Sequence, residues 1–513
     1  MSEIRQAIMA SDIRREWAAP TGSALETGET MGICAEQKAV ERMNPREKCL
    51  YIDSKTPEGG LYTDAQRAIH PNSNSTWRVS PEPFWMPRKI VDHFENLGHH
   101  LLGFYKAANL LYSQSSRGIQ PNWISTYLDQ GKPGEVVAYG RMNRFKSQLP
   151  LVIRPDMIPT RSGMISTELD SIPGGIGFTG SLGERYGQLG YDIVGGSGGM
   201  VSGFKGMVRS LAEIDDPVLG VVVSEESDGY RPEMTWLGKA LNESGLETYV
   251  VTPEKVLFSE AGLFVEGENG RKQIDVLYRF FELFDLRNIP KIDLLLYAIR
   301  KGLVKATPPP KAYLEEKMLM ALFHHPGLKG FWLKELGSES FEFLAETFPR
   351  TWILDPKPLP PYGVIHGLEV DGEVFSNWDE LGKLGQKKRH FVIKPSGFSD
   401  QAWGSKGVSV GHDMAEDDWQ TVISDALGAY EHSPHILQEF HTGSRFTVDY
   451  YDFETDDMAQ LKGRARLQPY YFIVDDAPVL AGIQATVCPS DKKLLHGMVD
   501  AVVIPCGIRD EKK

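Results

Sequence analysis

Cysteine is scarce in this chain. Four residues of 513, Cys34, Cys49, Cys488 and Cys506, lie far apart with no CxxC pair and no zinc-ligand spacing. That offers no zinc-site spacing and fits a reducing compartment better than a disulfide framework. Basic residues are outnumbered, 55 Lys and Arg against 69 Asp and Glu, for a net charge of −14. A general nucleic-acid binder needs a basic face, so that class is excluded, although a local basic pocket for phosphates is not. No apolar run approaches the roughly 20 residues that cross a bilayer. The opening MSEIRQAIMASDIRREW also lacks the apolar core of a signal peptide. The expectation is a cytoplasmic protein with neither nucleic-acid nor membrane partners.

Several catalytic signatures are absent as well. GGSGGM at 195–200 is glycine-rich, but no GK[ST] follows, so it is not a Walker loop. No GxGxxG opens a helix after the strand-like run at 218–223, which leaves a dinucleotide-binding oxidoreductase with little support. GGSGG is not the GxSxG of a serine hydrolase.

What is present is an ordinary globular composition, 41% hydrophobic and 24% charged, at a length that suggests three or four domains of about 150 residues each. Residues 1–150 read as a partly helical region of unknown role. Within it KIVDHFENLGHHLLGFYKAANLLY spaces apolar residues by three and four, as an amphipathic helix does. His93, His99 and His100 lie there without a carboxylate or Cys at ligand spacing, so solvated or core-edge histidines are expected. Residues 216–306 alternate strand, helix and strand: PVLGVVVSEE, TWLGKALNESGLETYVV, IDVLYRFFEL. That order signals a Rossmann-like parallel α/β layer. TPPP at 307–310 reads as a linker into a third unit, 307–513, which opens with KAYLEEKMLMALF as a helix and continues as α+β.

Between the first two units, at 151–215, stands RPDMIPTRSGMISTELDSIPGG. Alternation in LVIRPDMI and MISTELDS, with TRSG between them, predicts a hairpin with Asp156 opposite Glu168 to within about a residue. Arg154 shares a face with Asp156, and Glu168 with Asp170. Three carboxylates held together repel unless cations are present, and hard oxygen ligands suit Mg²⁺ shared with phosphates. The bland alternative is an exposed, salt-linked hairpin. A nucleotide site would also need lysines and a phosphate-covering loop, and FVIKPSGFSDQAWGSKGVSVG supplies both. Lys394 ends an apolar strand, and Gly397, Gly404 and Gly407 let backbone N–H groups approach phosphate. Lys317 ends KAYLEEK, and ILQEF at 436–440 runs as a strand.

In this order the third unit resembles the ATP-grasp fold: a lysine on the opening helix, KP with a glycine-rich loop, then the hinge strand. The usual ending, Arg-x-Asp followed by an acidic strand and Pro-Gly, is missing after residue 450 and stands instead at 154–156 and 168–175. The chain therefore resembles a circularly permuted ATP-grasp protein, the arrangement of glutathionylspermidine-synthase-like ligases, over about residues 150–500. The resemblance implies an α/β and α+β multidomain fold and a carboxylate–amine (or thiol) ligase. A small-molecule or peptide carboxylate would be activated by ATP as an acyl phosphate and taken by an amine, with release of ADP and phosphate. By position, Lys317, Lys394, Ser396, Gly397, Ser405, Lys406 and Gly407 would hold ATP phosphates, and Gln438, Glu439 and Phe440 would meet adenine. Asp156, Glu168 and Asp170 would bind Mg²⁺, two ions in the usual case. Arg154 would stabilise the transferred phosphoryl group. Arg279 and Arg466 would anchor the substrate carboxylate, with Arg464, Lys492, Lys493 and His496 as further candidates, and Trp403 would shield the site within a lid at 396–407. Two departures are Asp170 in place of the common Asn, and Arg445 near where relatives carry a ribose-binding Glu. The rival classes are a phosphotransferase on the same fold, a non-catalytic ATP-binding protein and a metal hydrolase. The oligomeric state, homodimer included, stays open.

Overall fold

The computed structural model describes residues 43–56, 61, 73–268, 270–402, 404, 406–492, 495 and 500–509. Cys34, Trp403, Ser405, Lys493 and His496 lie outside them. Among the described residues the largest sheet has seven strands. Along it run Phe84–Pro87, Val502–Arg509, Ala477–Pro489, Asp457–Val474, Val152–Pro159 and Met164–Asp170, and Arg445–Asp452 also pairs with Asp457–Val474. The early hairpin is thus inserted beside strands from the far end of the chain. Its register is the one the alternation requires, with Asp156 directly opposite Glu168 and Arg154 opposite Asp170. Gly163, at φ 142°, closes the turn.

Residues 219–223, 248–251, 276–280 and 305–307 form a parallel four-stranded sheet. Its central strand is apolar throughout because both faces are covered. Val221 and Val223 pack with Met234 and Leu237 of the helix Arg231–Glu243, while Val222 packs with Leu295 and Ile299 of the helix Ile292–Lys301. A third, antiparallel sheet orders 351–353, 435–439, 391–395 and 409–410. Trp419 and Leu381 back it with the helices that carry them.

Several sequence expectations change here. TPPP is no linker: Lys305–Thr307 is an edge strand of the parallel sheet and the three prolines are buried. KAYLEEKMLMALF is not one helix but a short 3₁₀ turn, Ala312–Leu314, followed by the helix Met318–His324. The described part of residues 1–150 does not stand apart. Its 28-residue helix Arg88–Ser115 lies on the helix Lys329–Thr347 and on the large sheet, and shares one apolar core with both. His93 and His100 stack on Phe343, as core-edge histidines do. No described helix is long and apolar enough to cross a membrane.

The GGSGGM run has a packing role. A Cβ at Gly195 would lie 2.1 Å from the Ala481 carbonyl oxygen, and one at Gly199 2.4 Å from the same atom. The glycines bring the helix Gly199–Ala212 down onto the strand Ala477–Pro489. Gly195→Ala meets both this clash and a φ of 83°, so it should destabilise by roughly 2–4 kcal/mol. Gly196→Ala has the same sign of φ but no atom within 4 Å, and should lose only about 1–2 kcal/mol. Urea unfolding midpoints of the two variants measure the difference.

Candidate functional site

Each charged group on the hairpin is held by its neighbours. Arg154 pairs with Asp170 at 3.0 Å and with Asp156 at 3.3 Å. From the adjacent strand Arg466 reaches Asp156 at 3.1 Å, and Gln468 donates to its other oxygen at 3.1 Å. These two sit where they do because RARLQ alternates: Ala465 and Leu467 enter the core while Arg464, Arg466 and Gln468 take the opposite face. Two lysines arrive from the other side. Lys317 pairs with Glu168 at 2.8 Å, and Lys394 donates to the Thr167 carbonyl at 3.0 Å across 227 residues of sequence. The hairpin and the lysines therefore meet at one place.

Burial and charge shape the protonation of this cluster. Burial disfavours the Asp156 carboxylate, but Arg154, Arg466 and Gln468 outweigh it and lower its pKa. Asp170 goes the other way, raised by burial and by the charges of Glu168 and Asp156. Glu282, just past the strand Val276–Phe280, is pushed up to about 8 by burial, Glu315 and Asp170. Burial likewise lowers Lys394 to about 8. Lys317 stays charged because Glu168 offsets its burial and raises it. A cavity of about 130 Å³ opens between the hairpin, Glu282, Tyr230 and Tyr470.

Other residues expected at the site have different surroundings. Arg279 is fully buried and its guanidinium donates to the carbonyls of Phe281 and Pro308 and to Glu315. It braces the end of the parallel strand, with each of its guanidinium nitrogens already engaged by the protein rather than turned to a substrate carboxylate. Ser396 is also fully buried; its hydroxyl donates to Glu316 and accepts from the Met318 N–H at 3.0 Å. Gly397 is needed for close approach, since a Cβ would lie 2.6 Å from the Glu315 carbonyl oxygen, and at Gly407 one would lie 2.7 Å from Pro395. Lys406 lies 3.7 Å from Glu226. Gln438 is buried with its amide donating to Thr351. The N–H groups of Glu439 and Phe440 bond to the carbonyls of Arg350 and His390, so they are engaged within the protein. Arg445 stands exposed opposite Arg464, Arg464 donates to the Ser490 carbonyl, and Lys492 pairs with Asp500 at 2.8 Å.

The donor chemistry fits a hard divalent cation. Asp156, Glu168 and Asp170 offer carboxylate oxygens on one hairpin, and burial, reinforced by neighbouring carboxylates, raises Asp170, Glu282 and Glu315. Among the described residues no three such side chains converge as a ready-made metal set; Asp156 and Asp170 share Arg154, and Glu168 is drawn to Lys317.

Glu233 escaped the sequence reading, as did Glu282. Its carboxylate accepts from the N–H groups of Gly175 and Phe178 at 2.6 and 3.0 Å, at the start of the helix Ile176–Gln188. The Pro-Gly-Gly there is a matter of space: a Cβ at Gly174 would lie 2.2 Å from the Tyr230 ring, and one at Gly175 2.3 Å from the Tyr470 hydroxyl.

No family model matches the chain, and no curated protein matches it. Among solved structures it is similar to a glutathione synthetase-like effector from Globodera pallida in its apo form, with a TM-score of 0.53 at 10% identity over 91% of this chain and 99% of that one. At that identity the likeness is one of fold. A protein provisionally described as a gamma-glutamylcysteine synthetase from Methylobacillus flagellatus gives a TM-score of 0.38 at 12% identity, over 78% of this chain and 87% of that one.

Glu233 yields a test of the site's electrostatics. Burial raises its pKa to about 7, so between about 4.5 and 7 the folded chain holds a proton that the unfolded chain has released. Stability from this group therefore falls as pH rises through that window, by roughly 1–3 kcal/mol. Glu233→Gln should be less stable at pH 5, where one backbone donor loses its acceptor, but should show a shallower decline between pH 5 and 8. Urea midpoints at the two pH values measure both.

Proposed function

We propose that this chain is an ATP-dependent carboxylate–amine ligase of circularly permuted ATP-grasp type. The observation that carries the reading is the meeting of Lys317 and Lys394 with the 167–170 segment of the hairpin. Phosphate-holding cations and metal-binding acids belong together in a phosphoryl-transfer site, and here they come from segments far apart in the chain. The fold shared with a glutathione synthetase-like effector agrees with it.

In this reading Lys394 and Lys317 hold the ATP phosphates, with the glycine-rich loop from Ser396 to Gly407 covering them. Asp156, Glu168 and Asp170 hold Mg²⁺, which when bound neutralises phosphate charge. Arg154 and Arg466 lie beside those acids and face the group in transfer and the substrate carboxylate, respectively. A carboxylate oxygen of the substrate attacks the γ-phosphorus and ADP leaves with the bridging oxygen. The amine then attacks the acyl carbon, phosphate leaves and the amine nitrogen gives up a proton. The intermediate is an acyl phosphate, which water would destroy, so the cavity beneath the loop serves to exclude it. Adenine would sit beside the Gln438–Phe440 strand, and its polar contacts must come from groups other than the N–H donors of Glu439 and Phe440.

Calorimetric titration of Mg-ATP tests the reading. Wild type should bind, and Lys394→Ala should weaken binding roughly 10- to 100-fold, the loss expected for a hydrogen bond to a charged group. The Glu168→Ala/Asp170→Ala variant should bind ATP with no dependence on Mg²⁺. Absence of Mg-ATP binding by folded wild type would overturn the reading.

A further inference from the structure

Two ionised groups are buried behind the glycine-rich loop with no part in the chemistry above. Lys132 stands in the turn between the helices Asn122–Asp129 and Gly134–Gly140, and Glu316 directly precedes Lys317. They form an ion pair of 2.5 Å, each side chain 1% exposed. Two buried charges are tolerated when further hydrogen bonds complete them, and here Glu316 makes such bonds to the loop, while the Lys132 ammonium has no hydrogen-bond partner among the described residues and only the carboxylate to balance it. Glu316 accepts from the Ser396 hydroxyl and, at 3.3 Å, from the Phe398 N–H. Between these residues, Gly397 lies so close that a Cβ would come within 3.0 Å of the Glu316 carboxyl carbon. The Lys132 ammonium also lies 5.7 Å from the centre of the Phe398 ring. Lys317, the next residue, holds the loop further along by donating to the Ala402 carbonyl at 2.8 Å. The Glu316–Lys317 dipeptide therefore fastens the loop at 396–398 and at 402, and a lysine from the N-terminal third supplies the counter-charge.

We propose that Lys132 is a positioning residue for the phosphate loop: its ion pair fixes the Glu316 carboxylate, so that Glu316 holds Ser396–Phe398 in the arc from which the loop meets phosphate. The ligand of the loop rests on the ATP reading; the loop's own geometry does not. A role follows for the described N-terminal segment. Docking of the 122–140 helices becomes a condition for an ordered phosphate loop, through one ion pair.

The test compares full-length wild type with Lys132→Met, Lys132→Arg and Lys132→Met/Glu316→Gln. The first readout is amide hydrogen exchange without ligand, at 396–402 and, as an internal reference, in the strand Asp457–Val474. Lys132→Met should speed exchange at 396–402 at least tenfold and leave the reference strand as in wild type. Lys132→Arg keeps the charge. The double variant removes the stranded carboxylate, while the amide introduced by Glu316→Gln can accept from the Phe398 N–H through its oxygen and donate to the Ser396 hydroxyl through its nitrogen. Both should therefore restore protection of the loop. If Lys132→Met does not fold, Glu316→Gln alone strands the ammonium instead and should speed exchange in the same segment. The second readout is Mg-ATP affinity, expected to fall about tenfold in Lys132→Met and to recover in Lys132→Arg. Loop exchange unchanged in Lys132→Met, or raised equally in the reference strand, would overturn the proposal. Lack of Mg-ATP binding by wild type would sink the ATP reading alone, because the exchange result decides the positioning role without nucleotide.

Discussion

The ion pair between Lys317 and Glu168, with Lys394 bonded beside it to Thr167, ties the small antiparallel sheet to the seven-stranded one. Everything else at the site follows from the charge balance around that junction. Asp156 is stabilised as an anion by two guanidiniums and an amide, whereas burial and neighbouring carboxylates raise Asp170 and Glu282. Carboxylates on one wall and lysines on the other are the arrangement that the proposed binding of a cation and a polyanion together requires.

The scaffold is built to bring backbones unusually close around this junction. Gly174 and Gly175 leave room for Tyr230 and Tyr470, and Gly195 and Gly199 seat a helix against the Ala481 carbonyl. Gly397 lets the loop touch the Glu315 carbonyl. Each such glycine gives up conformational entropy on folding in return for an approach that any Cβ forbids. The glycine-rich stretches of the sequence thus include one, at 195–199, that serves packing and one, at 397–407, proposed to cover phosphate, and only the surrounding topology distinguishes them.

That division explains what was legible beforehand. The hairpin register could be read because alternation and the TRSG turn are local, and Asp156 does face Glu168. The parallel layer could be read because a strand covered on both faces must be apolar throughout, as Leu219–Val223 is. Arg279 could not, since its partners, the Pro308 carbonyl and Glu315, come from a segment that reads as a linker and the helix after it. TPPP itself looks the same whether exposed or buried until its neighbours are known. Lys132 and Glu316 carry no motif at all, and only the fold shows that they are one buried pair. The polar stripe Arg464, Arg466 and Gln468 did have a local signal, the strict alternation of RARLQ. That Gln468 shares a face with Arg466 could have been found from it; its contact with Asp156 needs the pairing of two distant strands.

The most direct measurement is a crystal structure of the full chain with Mg²⁺ and a non-hydrolysable ATP analogue. The account predicts the phosphates lying between Lys317, Lys394 and the loop after Ser396, with the cation on carboxylates of Asp156, Glu168 and Asp170. Nucleotide bound elsewhere, or a Lys317–Glu168 contact unchanged with no nucleotide beside it at saturating analogue, would contradict the claim that hairpin and lysines form one site.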